Sequence, residues 1–145
     1  MPYITDGRIT KNFTLAEMAN KQAADTVKLM LTPEAVEHAQ MMQELRDCCG
    51  KPLNVSSWYR TKAFNRKCGG ASNSAHLDGR ATDINNINTK DSEAVKRFTH
   101  WWQAICTTHG KIGGVEVYKW GMHFDSYSDK FGFKEFRYKD NRQEG

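Results

Sequence analysis

No stretch of this chain approaches the roughly 20 consecutive apolar residues that a membrane-spanning helix requires, and the opening MPYITDGRITKNF has no apolar centre of the kind a secretory leader carries. The expectation is a protein made in the cytoplasm with no classical export signal. Also missing is any block of lysine and arginine. The formal charge is +4, with basic residues scattered among acidic ones, and this argues against a nucleic-acid arm. The 4 cysteines, Cys48, Cys49, Cys68 and Cys106, form no C-x-x-C pair, which speaks against a structural zinc knuckle. Cys48 and Cys49 are adjacent, a spacing that disulfide geometry disfavours. Reduced, mostly buried thiols without chemistry are expected.

The chain has enough to build a core. Its 145 residues are 39% hydrophobic and 26% charged, the balance of one globular domain over 1–145 that needs no staple. FTLAEM opens a first helix, with Thr14 as cap, Glu17 completing a capping box and Phe13 placed to staple onto Met18. A second helix starts at Thr32 and Pro33, with Val36, Ala39, Met42 (or Met41), Leu45 and Cys49 on one face, and stops at Gly50. PLNVSSWYR alternates like a strand and is followed by a polar loop from Asn65 to about Ser74. ATDINNI reads as a short strand, and KDSEAVKRFTHWWQAICTTHGK as a third helix with Val95, Phe98, Trp102 and Ile105 inward. GGVEVYKWGMHFDS reads as a hairpin bending near Gly121, and the charged, aromatic C-terminal residues as a short strand with a frayed tail. The fold class is α+β, a small antiparallel sheet flanked by helices.

One stretch carries more chemistry than a surface loop needs. In SNSAHLDGRATDI, His76 and Asp83 are separated by Gly79 and Ala81. A turn at Gly79 leading into the strand of Asp83 would bring both side chains to one point. His123 sits in a strand of its own, MHFD. Two imidazoles and one carboxylate suit zinc and leave a coordination position open, as catalytic sites do. His38, His100 and His109 read as structural: the first two lie mid-helix, and His109 stands at a helix end, where a cation suits the dipole.

In this context the chain resembles the zinc peptidases of the D-Ala-D-Ala carboxypeptidase and hedgehog-like group, in particular the cell-wall branch. The resemblance rests on Ser74, His76, Gly79, Ala81 and Asp83; on Ser57, Tyr59, Arg60, Asn65, Gly69 and Gly70 upstream; and on Tyr118, His123 and Asp125 downstream. It runs in order from about residue 10 to residue 127 and includes NFTLAEM at its start. It implies a hedgehog/DD-peptidase-like fold and His76, Asp83 and His123 as zinc ligands. It also implies that Arg60 holds a substrate carbonyl or carboxylate and steadies the charge that develops there. Ser74 and Ser57 are placed to bond a ligand or simply the loop backbone.

The general base is where the pattern departs. Several relatives place Glu or Asp three residues before the final histidine, and Trp120 stands there in this chain. Asp125, two residues past His123 and on the same strand face, is the first candidate, as base or as hydrogen-bond partner of a ligand, with a purely structural role also open. Glu116 on the preceding strand is the second; its plain alternative is an exposed strand residue. Trp58 and Trp120 flank the site and either line a peptide groove or belong to the core. The resemblance implies a zinc metallopeptidase, carboxypeptidase or endopeptidase, acting as a monomer on peptidoglycan stem or cross-bridge peptides. A phage lysin or virion wall hydrolase would suit the missing leader. The competing reading is a zinc-containing, non-catalytic binding module of the same fold.

Overall fold

A computed structural model describes residues 7–71, 74–126 and 134–142. Helix α1 (Leu15–Ala19) begins with the expected capping box: the Thr14 hydroxyl accepts from Glu17 N at 3.0 Å, and Thr14 N donates to Glu17 Oε1 at 2.9 Å. A short α2 (Ala24–Leu29) follows. Helix α3 (Pro33–Cys49) is capped by Thr32 and closed by Gly50, whose φ of 67° lies in the left-handed region glycine favours. Both Met41 and Met42 are fully buried, so the apolar face is wider than a single stripe. Helix α4 (Lys62–Lys67), capped by Thr61, occupies part of the stretch read as loop. A 3-10 turn over Ala75–Asp78 precedes the second strand, and α5 (Ser92–Thr108) starts from an Asp91 cap.

Five strands form one sheet: β1 (Val55–Ser57), β2 (Ala81–Ile84), β3 (Gly114–Tyr118), β4 (Gly121–Asp125) and β5 (Arg137–Asp140), in the order β1-β2-β4-β3-β5. The pairs β1/β2, β2/β4 and β3/β4 are antiparallel, as expected. The edge strand β5 differs, running parallel to β3. Strand alternation divides the sheet into two chemistries. Val115, Val117, Met122, Phe124 and Ile84 join Trp102, Ile105 and the buried face of α3 in the main core. Glu116, His123 and Asp83 stand on the opposite face.

His38 crosses into that core as a polar residue. It is fully buried, with Nδ1 2.7 Å from Ser126 Oγ and Nε2 3.0 Å from Thr82 Oγ1, and its ring lies edge-on to Trp58 and Trp102. Burial, with the nearby positive groups, holds its pKa well below the ordinary value, so it is neutral. The cysteines correct an expectation: Cys48 and Cys68 are exposed, Cys49 is half-buried, and only Cys106 is buried. Cys48 lies on the outer side of α3 and Cys68 just past α4, away from the apolar faces.

At the C-cap of α5, His109 joins two helices. Its Nδ1 is 3.1 Å from Glu37 and its Nε2 2.5 Å from Glu44, both on α3, and Lys111 meets Glu37 at 3.1 Å. Burial alone would lower the His109 pKa, but its bonds to Glu44 and Glu37 raise it above 6.5. Burial would raise Glu37, yet His109 and Lys111 bring it below 4.5. The histidine's contribution is complete below 6.5 and lost as pH rises through its folded value; the glutamate's is present above 4.5 and lost on acidification. His109→Gln should therefore lower the melting temperature by a few degrees near about pH 5.5 and by clearly less near about pH 9. Thermal melts of both chains across that range would check this; a pH-independent difference contradicts it.

Candidate metal centre

The site is assembled by one turn and one register. Ser74 caps the 3-10 turn, its hydroxyl accepting from His76 N at 3.2 Å, and Gly79 closes it at φ 68°. A side chain at 79 has no room, since a Cβ there would lie 2.9 Å from both Ala35 Cβ and Tyr59 Cδ2. The chain then enters β2, where Asp83 pairs in register with His123 of β4. His76, Asp83 and His123 each offer a ligand atom, and the three atoms lie within 4.8 Å of one another.

Hydrogen bonds fix how each group points. His76 Nδ1 donates to the Trp58 carbonyl at 2.6 Å; because a carbonyl only accepts, Nδ1 carries a proton, and Nε2 is the ring nitrogen turned toward Asp83. That Nε2 is 3.4 Å from Asp83 Oδ2. His123 Nδ1 lies 2.8 Å from Asp83 Oδ1, and its Nε2 lies 3.1 Å from Asp125 Oδ2. Asp125 is 2% exposed, and its Oδ1 accepts from Arg137. The two imidazole rings are edge-to-face, 5.5 Å apart.

The electrostatics favour a cation. Burial would raise the Asp83 pKa, but bonds from His123 and His76 hold it far below the carboxylate range. Burial would lower His123, and the bonds to Asp125 and Asp83 instead push it up to about 10. Positive charge is thus favoured where His123 meets the carboxylates, and a divalent ion can supply it in place of a proton. Two nitrogens and one carboxylate oxygen at this spacing fit tetrahedral zinc with one further position.

The other candidates fall in different places. Arg60 is half-buried: its Nε bonds Ser57 Oγ at 3.1 Å, its Nη1 bonds Asn65 Oδ1 at 3.2 Å, and its backbone N donates to the His76 carbonyl at 2.9 Å. Glu116 is the register partner of His123, and its Oε1 accepts from Tyr118 Oη at 3.0 Å and Asn141 Nδ2 at 3.1 Å. Trp120, in the turn between β3 and β4, is 43% exposed and stacks on Tyr118 at 4.8 Å. Trp58 requires a correction. At 1% exposure, against Phe13 and His38 and with Nε1 bonded to the Gly79 carbonyl, its side chain is core and lines no groove. Only its carbonyl reaches the site, through His76. Sequence reasoning missed the partners of the two other carboxylates, Arg137 and Asn141. Both lie in the charged C-terminal stretch, where a short strand was expected but nothing in the sequence named the strand it would join.

This donor set could hold a single metal ion. The sequence model of the family described as Peptidase M15 matches residues 11–123. The chain belongs to that family, the zinc D-Ala-D-Ala carboxypeptidase-like peptidases. No curated protein matches it. Metal analysis should find about one zinc per wild-type chain and well under a tenth of that in His76→Ala or His123→Ala, since losing one of three protein ligands leaves a weak pair. A full equivalent in either variant would remove that residue from the ligand set.

Proposed function

We propose that the chain is a zinc-dependent peptidase that hydrolyses a peptide bond in the stem or cross-bridge peptides of peptidoglycan. What carries this reading is the convergence of His76, Asp83 and His123 within 4.8 Å in a member of the M15 family. Those three residues would hold the ion. Zinc, when bound, supplies Lewis acidity at the scissile carbonyl.

The chain's own groups divide the remaining work. The Trp58 carbonyl holds His76 in the tautomer that presents Nε2. Asp125 holds His123 Nε2 and so turns Nδ1 toward Asp83. Buried and already paired on both oxygens, Asp125 suits orientation better than proton exchange. That leaves Glu116, half-buried opposite His123 on the same sheet face, as the proton acceptor. Arg60, anchored by Ser57 and Asn65, steadies negative charge on the substrate carbonyl oxygen or carboxylate. Ser74 shapes the turn under the substrate, and Trp120 forms an exposed rim for the peptide. A formal charge of +4 suits an anionic wall, the substrate of a phage lysin or virion hydrolase.

A second reading rests on one observation: an exposed Trp120 occupies the position three residues before His123, where several relatives carry the base. A zinc-bearing wall-binding module is that reading. Digestion of purified peptidoglycan, with products identified by mass spectrometry, separates the two. New peptide ends with wild-type protein and none with His76→Ala support the peptidase and name the bond; an intact wall under zinc-loaded, wall-bound protein supports the binding module. Glu116→Gln should keep its zinc and lower the rate about a hundredfold or more. If instead Asp125→Asn shows that pattern and Glu116→Gln is fully active, the proton acceptor is Asp125.

A further inference from the structure

We propose that the C-terminal strand β5 is part of the metal centre, with Arg137 as a positioning residue that fixes Asp125 and, through it, the imidazole of His123. The inference deepens the zinc reading and rests on it. The family match ends at residue 123, so it assigns nothing to this strand.

Register brings the groups into line. Gly114 of β3 pairs with Asp125 of β4 on one side and with Arg137 of β5 on the other. Three residues on adjacent strands thus lie in a row, with a glycine in the middle. A Cβ on Gly114 would stand 2.9 Å from Arg137 Nη2, 3.0 Å from its Cζ and 3.1 Å from its Cβ. The arginine therefore lies across the space a side chain would fill, and it reaches Asp125 Oδ1 over the intervening strand.

At the far end of that reach is a carboxylate that cannot stand alone. The Asp125 side chain is 3% exposed, and a charge removed from water to that degree requires a partner. Each of its two oxygens has one: Oδ1 takes the guanidinium, and Oδ2 takes His123 Nε2 at 3.1 Å. With Oδ1 released, the carboxylate is free to rotate, and His123 loses the contact that sets its ring plane. The same strand end supports the other carboxylate. Asn141, 7% exposed, is tied to the Val117 carbonyl through its backbone N at 2.7 Å and donates Nδ2 to Glu116. A charged tail that only covered a sheet edge would not place both of these contacts on the site face.

The test reads zinc affinity by chelator competition and the absorption spectrum of the cobalt-substituted chain. Arg137→Gln should weaken zinc about tenfold to a hundredfold, the range for losing support behind a ligand, and should shift the cobalt bands. Gly114→Ala should do the same from a different strand by displacing the arginine. Lys139→Gln removes the same charge from an exposed position on β5 and should leave both readouts at wild type. In an Asp125→Asn background, Arg137→Gln should add less than about threefold, because both changes break one connection. Should Arg137→Gln fold poorly, Arg137→Lys, which keeps the charge, is expected to fall between it and wild type. Wild-type affinity and spectrum in Arg137→Gln and Gly114→Ala, full additivity with Asp125→Asn, or an equal loss in Lys139→Gln would each overturn the proposal. A wild-type chain without zinc affinity overturns the zinc reading itself, a result distinct from all of these.

Discussion

The antiparallel register between β2 and β4 is the constraint on which the centre depends. It sets Asp83 directly opposite His123, so the ladder that builds the sheet also brings two of the three candidate metal ligands together. A slip of one residue would set Asp83 opposite Met122 or Phe124 and send one of the pair to the core face, and the burial of Thr82, Ile84, Met122 and Phe124 opposes that slip. Packing on one face therefore protects chemistry on the other. The third group, His76, comes from outside the sheet, and its position depends on a left-handed glycine with no space for a side chain.

The core face shows how the helical layer is tied to this register. His38 reaches from α3 to Thr82 and Ser126, the residues that flank Asp83 and Asp125 in sequence. Both ring nitrogens are satisfied by hydroxyls, which can donate or accept as the tautomer requires, so a neutral imidazole rests in the core without an unmade bond. Trp102 adds a second tie by donating Nε1 to the Asp125 carbonyl at 2.8 Å. Helix positions and strand positions are thus specified together rather than by apolar contact alone.

Much of this was legible in the sequence because it is encoded locally. The Thr14–Glu17 box, the Thr32–Pro33 start and the Gly50 stop each act within a few residues, and the structure places helix ends there. The turn at Gly79 and the hairpin before His123 are likewise short-range. What was not legible acts at a distance or in too few residues. Helices α2 and α4, six residues each, are shorter than the window in which a 3.6 period declares itself. The alternation of PLNVSSWYR continues past the three residues that pair, because Trp58 and Tyr59 leave the sheet for the core near α1. A short strand was expected where β5 lies, but its parallel pairing with β3 is a long-range contact that no local signal announces. Arg137 as a partner of Asp125 was hidden for the same reason.

The anchoring of Arg60 has a consequence for how such a protein diversifies. The candidate metal ligands take their positions from the ladder and the glycine turn, whereas the guanidinium is held by Asn65 and Ser57, with Gly70 packed so close that a Cβ there would collide with the Asn65 side chain. The guanidinium is thus anchored outside the β2/β4 ladder, while the Arg60 backbone N remains tied to the His76 carbonyl. A change in the segment from α4 to the glycine pair would therefore reach the Arg60 side chain, through Asn65, before it reached Asp83 or His123. Variation there would move the guanidinium and leave the strand register in place.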